Sequence, residues 1–368
     1  MKVVSIVGAR PQFIKASPVS KVLRQTEHQE FMIHTGQHYD YEMSRVFFDE
    51  LELTEPHVNL EVGSRSHGKQ TGEMLMQIDN VLLTEKPDCV LVYGDTNSTL
   101  AGALAAVKLH IPVAHAEAGL RSFNREMPEE HNRVLTDHMS DLLFCPSKTA
   151  VKNLEHEGIT RGVHLVGDVM YDSILHNINL AERNSDVLDR LKLQPRCYAL
   201  ATVHRAENTD HPDRLRNIIE ALALINQETQ VIFPVHPRTK QYLRDSELKI
   251  QNLKLKTIDP IPYLDMLLLE KNAHVILTDS GGVQKEAYWF NVPCVTLREQ
   301  TEWVELVEHG ANTLAGSNRK TIYQAYRTMT GKKIDSNPEL YGNGKASQKI
   351  VEILTLLISK KKRPESLF

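Results

Sequence analysis

The chain has 368 residues, of which 41% are hydrophobic and 24% charged. That is enough apolar material for two cores, because single cores stop growing at roughly 250 to 300 residues. The formal net charge of −4 comes with scattered Lys and Arg, which argues against a nucleic-acid partner. The basic run at 360–363 reads as a solvated segment, with neither membrane nor RNA as its contact. The four cysteines lie in apolar runs without a Cys-x-x-Cys pair, as expected of buried, reduced thiols. With no secretory h-region and no membrane-length apolar stretch, the expected location is the cytoplasm.

In chain order, apolar strand-like runs alternate with helical patterns. VVSIV, FMIHT, CVLVYGD, PVAHAEA, LLFCPS and VHLVGD fill the first half, and YALATVH, QVIFPVH, LKTIDP, HVILTDS and PCVTL the second. Continuous apolar strands separated by helices predict parallel sheets covered on both faces. The fold class is therefore α/β, with two Rossmann-like doubly wound domains facing a central cleft. The first spans 1–170 and the second 171–368, with the last helix free to pack back on the first domain. The stretch AERNSDVLDRLKLQPR reads as an exposed helix and linker.

Ligands of open parallel sheets sit beyond the carboxyl ends of the strands. Polar residues gather at those ends: Arg10, His34, Gln37, His38, Asp95, His115 and Glu117 in the first half, His204, His236, Asp279 and Ser280 in the second. TDSGGVQKEA follows a strand and opens a helix. Gly281 and Gly282 there let main-chain N–H groups approach an anion, with Glu286 placed to accept two ribose hydroxyls. At the other end of the chain Gly8 is read as a tight turn, with Arg10 and Lys15 flanking the first helix start around Pro11. Together the two sites suggest one nucleotide diphosphate ligand. The 17 histidines form no His-x-x-x-His pair on a helix and no Cys/His cluster, His34 and His38 straddling the turn HTGQH, so no metal is expected.

GARPQFIK, VYGDTNST, HAEAGLRS with MPEEHNR, TVHRAEN, PVHPR and TDSGGVQKEA, in this order, resemble the non-hydrolysing UDP-N-acetylglucosamine 2-epimerases. The resemblance runs from residue 1 to the YGNGKAS segment. It implies a two-lobed fold like that of the B-type glycosyltransferases, a homodimer, a UDP-sugar substrate and no added cofactor. Carried over by motif, it sets Arg10, Lys15, Arg133 and His204 against phosphates and sugar, makes Asp95, Glu117 and Glu129 the catalytic acids, and gives UDP to His236, Ser280, Gly281, Gly282 and Glu286. Gln37, Arg65 and Arg205, with His236, are candidates for an activator site.

Two spellings depart from the better-known members: QTEWVE at 300–305, and the loop GQHYDYEMS from Gly36. Both are similar to a branch that includes enzymes acting on UDP-2,3-diacetamido-2,3-dideoxyglucuronate. From residues alone, plainer roles stand beside these. Asp95 could cap the next helix, Glu117 could pair with Arg121 or Arg133, and Glu129 and Glu130 could be first-turn acids. A glycosyltransferase of the same fold, a hydrolysing epimerase and an inactive nucleotide-sugar sensor are the competing functions.

Overall fold

A computed structural model describes residues 1–37, 53–245 and 255–361. The chain divides into two compact units, Met1–Leu175 with the stretch from Pro338 onward, and His176–Asn337. His38 and most of the GQHYDYEMS loop lie outside the described residues.

Unit 1 carries the strands β1 (Lys2–Val7), β2 (Gln29–His34), β3 (Val58–Asn59), β4 (Cys89–Tyr93), β5 (Val113–Ala116), β6 (Leu142–Cys145) and β7 (Val163–Leu165). They form one sheet in the order β3-β2-β1-β4-β5-β6-β7. The neighbours are parallel, with Val3 opposite both Glu30 and Cys89. The helices α1 (Arg10–Arg24), α2 (His67–Glu85), α3 (Asn97–Lys108), α4 (Pro128–Met139) and α5 (Lys148–His156) connect these strands. Alternate strand residues Val4, Ile6, Val90 and Val92 join Met74, Ile78, Ala101 and Ala105 in a core on one face. That is the period of two expected of a sheet clad in helices.

Unit 2 repeats the plan with β8 (Tyr198–Thr202), β9 (Gln230–Pro234), β10 (Lys256–Ile258), β11 (Val275–Thr278), β12 (Cys294–Thr296) and β13 (Asn312–Leu314), ordered β10-β9-β8-β11-β12-β13. Its sheet is buried on both sides. Ala199, Ala201, Phe233, Val275 and Leu277 face one core, and Tyr198, Leu200, Ile232 and Ile276 face the other.

In each sheet the strand order reverses once, between β1 and β4 and between β8 and β11. Loops leaving two such strands diverge to opposite faces and open a crevice at the carboxyl edge. Arg10 and Asp95 follow one pair of strands, and His204 and Ser280 the other.

Three expectations need correction. The segment around residues 181–193 is not an exposed linker, since Ala181, Val187 and Leu193 are buried against the face of the second sheet that holds Tyr198 and Leu200. Cys197 is exposed, unlike the other three cysteines, because it sits in the turn entering β8 just after Arg196, whose φ is +62°. Gly8 does not have a positive φ; a Cβ there would lie 2.0 Å from Thr35 Oγ1 and 2.2 Å from Ser98 Oγ, so close approach is what requires glycine.

Candidate active site

In unit 1 the crevice is laced by a buried glutamine. Gln12, in the first turn of α1, accepts from Gly8 N at 2.8 Å and Ala9 N at 3.1 Å, and its amide donates to Tyr93 O at 2.8 Å. The loops after β1 and β4 are thereby tied together. Arg10 opens α1, and Lys15 reaches back to form an ion pair with Glu117. Glu117 leaves β5 with φ +73°, a strained value for a side chain of this size. A Cβ placed on Gly94 would lie 3.2 Å from Lys15 Nζ and 3.3 Å from Glu117 Oε2, so this pair closes over the residue preceding Asp95.

Asp95 does not cap α3; Thr96 does, accepting from Thr99 N. Asp95 Oδ2 instead accepts from Arg133 NH2 at 2.6 Å, and its carbonyl accepts from Asn132 Nδ2 at 2.9 Å. Arg133 is only 2% exposed and also pairs with Glu130 at 3.0 Å. Asp95, Glu117, Lys15 and Arg133 are thus brought together. Glu129 lies part-exposed in the first turn of α4, and among the described residues it is not bonded into this group.

In unit 2, Ser280 caps the helix Gly281–Trp289, its Oγ accepting from Val283 N at 3.5 Å. Glu286, 4% exposed, accepts from Tyr263 OH at 3.3 Å. Asp279 is fully buried and organises the facing loop, accepting from His204 N at 3.0 Å, Arg205 N at 3.0 Å and Asn208 Nδ2 at 3.1 Å. His204 lies with its ring centroid 5.5 Å from that of the exposed His236. A Cβ on Gly281 would meet Glu302 Oε1 at 2.5 Å and Trp303 Nε1 at 3.2 Å, so side chains of a neighbouring loop pack close against this helix start. That loop belongs to the QTEWVE segment. Arg205 lies 3.7 Å from Glu302, at the open start of the helix.

Residues 21–355 match the family model for UDP-N-acetylglucosamine 2-epimerase. The chain belongs to that family. A UDP-N-acetylglucosamine 2-epimerase homolog of Methanococcus maripaludis is 58% identical, over 96% of this chain and 99% of that protein. The UDP-2,3-diacetamido-2,3-dideoxy-D-glucuronate 2-epimerase of Pseudomonas aeruginosa is 52% identical, over 97% of this chain and 100% of that protein. The crystal structure of Methanocaldococcus jannaschii UDP-GlcNAc 2-epimerase in complex with UDP-GlcNAc and UDP aligns with a TM-score of 0.91 at 49% identity, covering 97% of this chain and 100% of that one. The two-domain α/β fold is therefore that of the epimerase family.

Within this epimerase-family chain, Gln37 touches the same crevice. Its Oε1 accepts from Ser98 N at 3.0 Å and Ser98 Oγ at 2.7 Å, at the first turn of α3. Gln70 donates to Gln37 O at 3.3 Å and Gly63 O at 2.7 Å, tying Gln37 to the loop of Arg65, which itself pairs with Glu73 at 3.0 Å. Arg205 and His236, the other activator candidates, lie in unit 2.

The residues that motif reading did not assign are mostly buried supports. His115, fully buried, donates from Nε2 to Gly94 O at 2.7 Å, and its Nδ1 lies 2.8 Å from Asp137 Oδ1. Asp137 Oδ2 accepts from Gly119 N at 3.1 Å and Arg121 NH1 at 2.7 Å, while Arg121 forks onto Glu157 at 2.6 and 2.8 Å. Burial alone would raise the Asp137 carboxyl, but hydrogen bonds and charge from His115 and Arg121 outweigh it and hold the group below the usual carboxylate range. Asp137 therefore braces both the Gly94–Asp95 turn and the loop following Glu117. The spacing 130, 133, 137 on one helix face was the available signal, but a polar stripe at helical spacing ordinarily reads as solvated surface.

Proposed function

We propose that this chain is a non-hydrolysing UDP-GlcNAc 2-epimerase that interconverts UDP-GlcNAc and UDP-ManNAc. The observation that carries the reading is the pairing of two carboxylates with two cations at the unit 1 crevice: Glu117 with Lys15, and Asp95 with Arg133. The hydrogen at C2 of a 2-acetamido sugar is not adjacent to a carbonyl, so direct deprotonation would give an unstabilised carbanion. Loss of UDP solves this. As the C1–O bond breaks, a base takes the C2 proton, the C–H electron pair becomes the C1=C2 bond, and UDP leaves with the C1–O pair. A proton then returns to the opposite face of C2 while the diphosphate oxygen re-forms its bond to C1.

In this reading the Ser280–Gly282 helix start and Arg10 receive the departing diphosphate, with charge and amide dipoles aimed where negative charge develops. Glu286 holds the ribose hydroxyls, and His204 and His236 contact phosphate and sugar. Asp95, Glu117 and Glu129 serve as acid and base on the two faces of C2. Among the described residues no helix is long and apolar enough to cross a membrane. The chain is read as a cytoplasmic homodimer.

The test is a proton NMR time course with UDP-GlcNAc as sole substrate. Appearance of UDP-ManNAc without stoichiometric free sugar supports the reading; an unchanged sugar, or free ManNAc with UDP, removes it. The 52% identity to the Pseudomonas aeruginosa enzyme favours a second substrate, UDP-2,3-diacetamido-2,3-dideoxyglucuronate, inverted at the same carbon. Ratios of kcat/KM for the two sugars decide between them.

A further inference from the structure

The loop between Glu117 and α4 displays a large aromatic in a costly conformation. Phe123 is 77% exposed, the most exposed large hydrophobic side chain among the described residues, and its φ is +59°. A bulky L-residue in the left-handed region is a genuine outlier, and such strain persists only where its surroundings impose it. A single exposed phenylalanine is ordinary. One pinned in a strained backbone by buried charge is not.

Glu130 does the pinning. Its carboxylate, on a residue 5% exposed, accepts from Phe123 N at 2.9 Å through Oε1 and from Ser122 N at 2.9 Å and Ser122 Oγ at 2.8 Å through Oε2. The same carboxylate meets Arg133 at 3.0 Å, and Arg133 holds Asp95 at 2.6 Å. The backbone of Phe123 is thus joined to the Asp95 carboxylate through two buried side chains. Two ion pairs of Arg133 thus tie the acid to the backbone that carries the ring.

We propose that Phe123 is a substrate-contacting residue that covers the acetamido-bearing face of the sugar and keeps water from the unsaturated intermediate, with Glu130 as its positioning residue. This rests on the function proposed above. The ligand class follows from the ring's chemistry: an aromatic face offers nothing to a diphosphate but packs on C–H bonds and methyl groups, which a 2-acetamido sugar presents beside the carbon that the acids attack. Retaining the intermediate matters because water or early release would turn epimerisation into loss of UDP and glycal.

The test compares wild type with Phe123→Ala, Phe123→Leu and Phe123→Tyr, reading kcat, KM, glycal released per turnover, UDP affinity by calorimetry, melting temperature and oligomeric state. Phe123→Ala should raise KM about 10-fold, the size of one lost apolar contact, and increase glycal release several-fold. Leu should restore part of the loss and Tyr nearly all of it. UDP affinity and melting should stay at wild-type values, because the ring is exposed and lies outside the UDP-binding unit. Phe123→Gly should melt no lower than wild type, since glycine accepts the same φ without strain. If wild type turns over while Phe123→Ala keeps KM and glycal release within twofold, or changes only the oligomeric state, the assignment of Phe123 falls alone. If wild type epimerises no UDP-2-acetamido sugar, the proposed function falls first.

Discussion

Glu117 reaches its position through a left-handed backbone, at the end of a strand whose other residues are regular. Such a conformation costs roughly 1 to 3 kcal/mol, and the Lys15 ion pair and two amides bonded to Phe144 O hold it there. Asp95 is held in turn by Arg133. In the proposed mechanism each carboxylate acts on C2, so Asp95→Asn and Glu117→Gln should each lower turnover by about 10²- to 10⁴-fold while UDP affinity stays near wild type. Single-turnover NMR with calorimetric titration of UDP checks both, and a fully active variant would remove that residue from the chemistry. His34 offers a stability test. Burial, only partly offset by a hydrogen bond with Asn59, pushes its imidazole down to about 4 from the ordinary 6.5. Between those values the unfolded chain binds a proton that the folded chain refuses. His34 therefore contributes stability above pH 6.5 that is lost progressively as pH falls towards 4, on the order of 3 kcal/mol in all. A His34→Asn variant should show a flatter dependence of melting temperature on pH in that window; equal slopes would count against the burial argument.

At the scale of elements, α4 behaves as a polar brace. Its buried face carries Glu130, Asn132, Arg133, Thr136 and Asp137, where a helix on a sheet ordinarily buries apolar side chains. Its buried bonds reach His115 in β5, the loops that leave β4 and β5, and Asn97 at the start of α3. Replacing Asp137 by Asn would leave the Arg121 guanidinium and His115 facing a weaker acceptor in a dry site, a change that typically costs about 3 to 5 kcal/mol. We expect Asp137→Asn to melt several degrees lower and to lose turnover at temperatures where it is still folded, which circular dichroism and the NMR assay separate. Undiminished turnover in the folded variant would show that the brace does not set the geometry of the acids. This layer was poorly legible in the sequence. Strand ends and glycines announce themselves by pattern, but a buried carboxylate on a helix looks like a surface acid until its partners, far away in the chain, are brought beside it. The same holds for Gln12, whose contacts span more than 80 positions.

For the whole molecule, the alternation of apolar strands with helices was enough to expect two doubly wound sheets, because parallel strands covered on both faces leave continuous hydrophobic runs. The edge strands Val58–Asn59 and Asn312–Leu314 escaped, being two and three residues long and only partly buried. The gathering of polar residues at the carboxyl ends of the strands was legible from the same pattern, whereas the close approach that requires Gly8, and Thr96 rather than Asp95 as the cap of α3, were not. The elimination route makes a prediction for the intact enzyme. In D2O, deuterium should enter C2 of both epimers, and retention of the original hydrogen through many turnovers would rule the route out.

The uneven exposure of the cysteines has a practical side. Burial pushes the Cys145 and Cys294 thiols up to about 12, so both stay protonated and unreactive at neutral pH, and Cys89 is equally enclosed. A thiol reagent should therefore find a single site per native chain, at Cys197, and four after denaturation. That site stands at the amino end of a five-residue strand whose carboxyl end leads to His204, some way from the crevice at about 3.3 Å per residue. A fluorophore attached there would report on unit 2 as nucleotide is added, without any engineered cysteine.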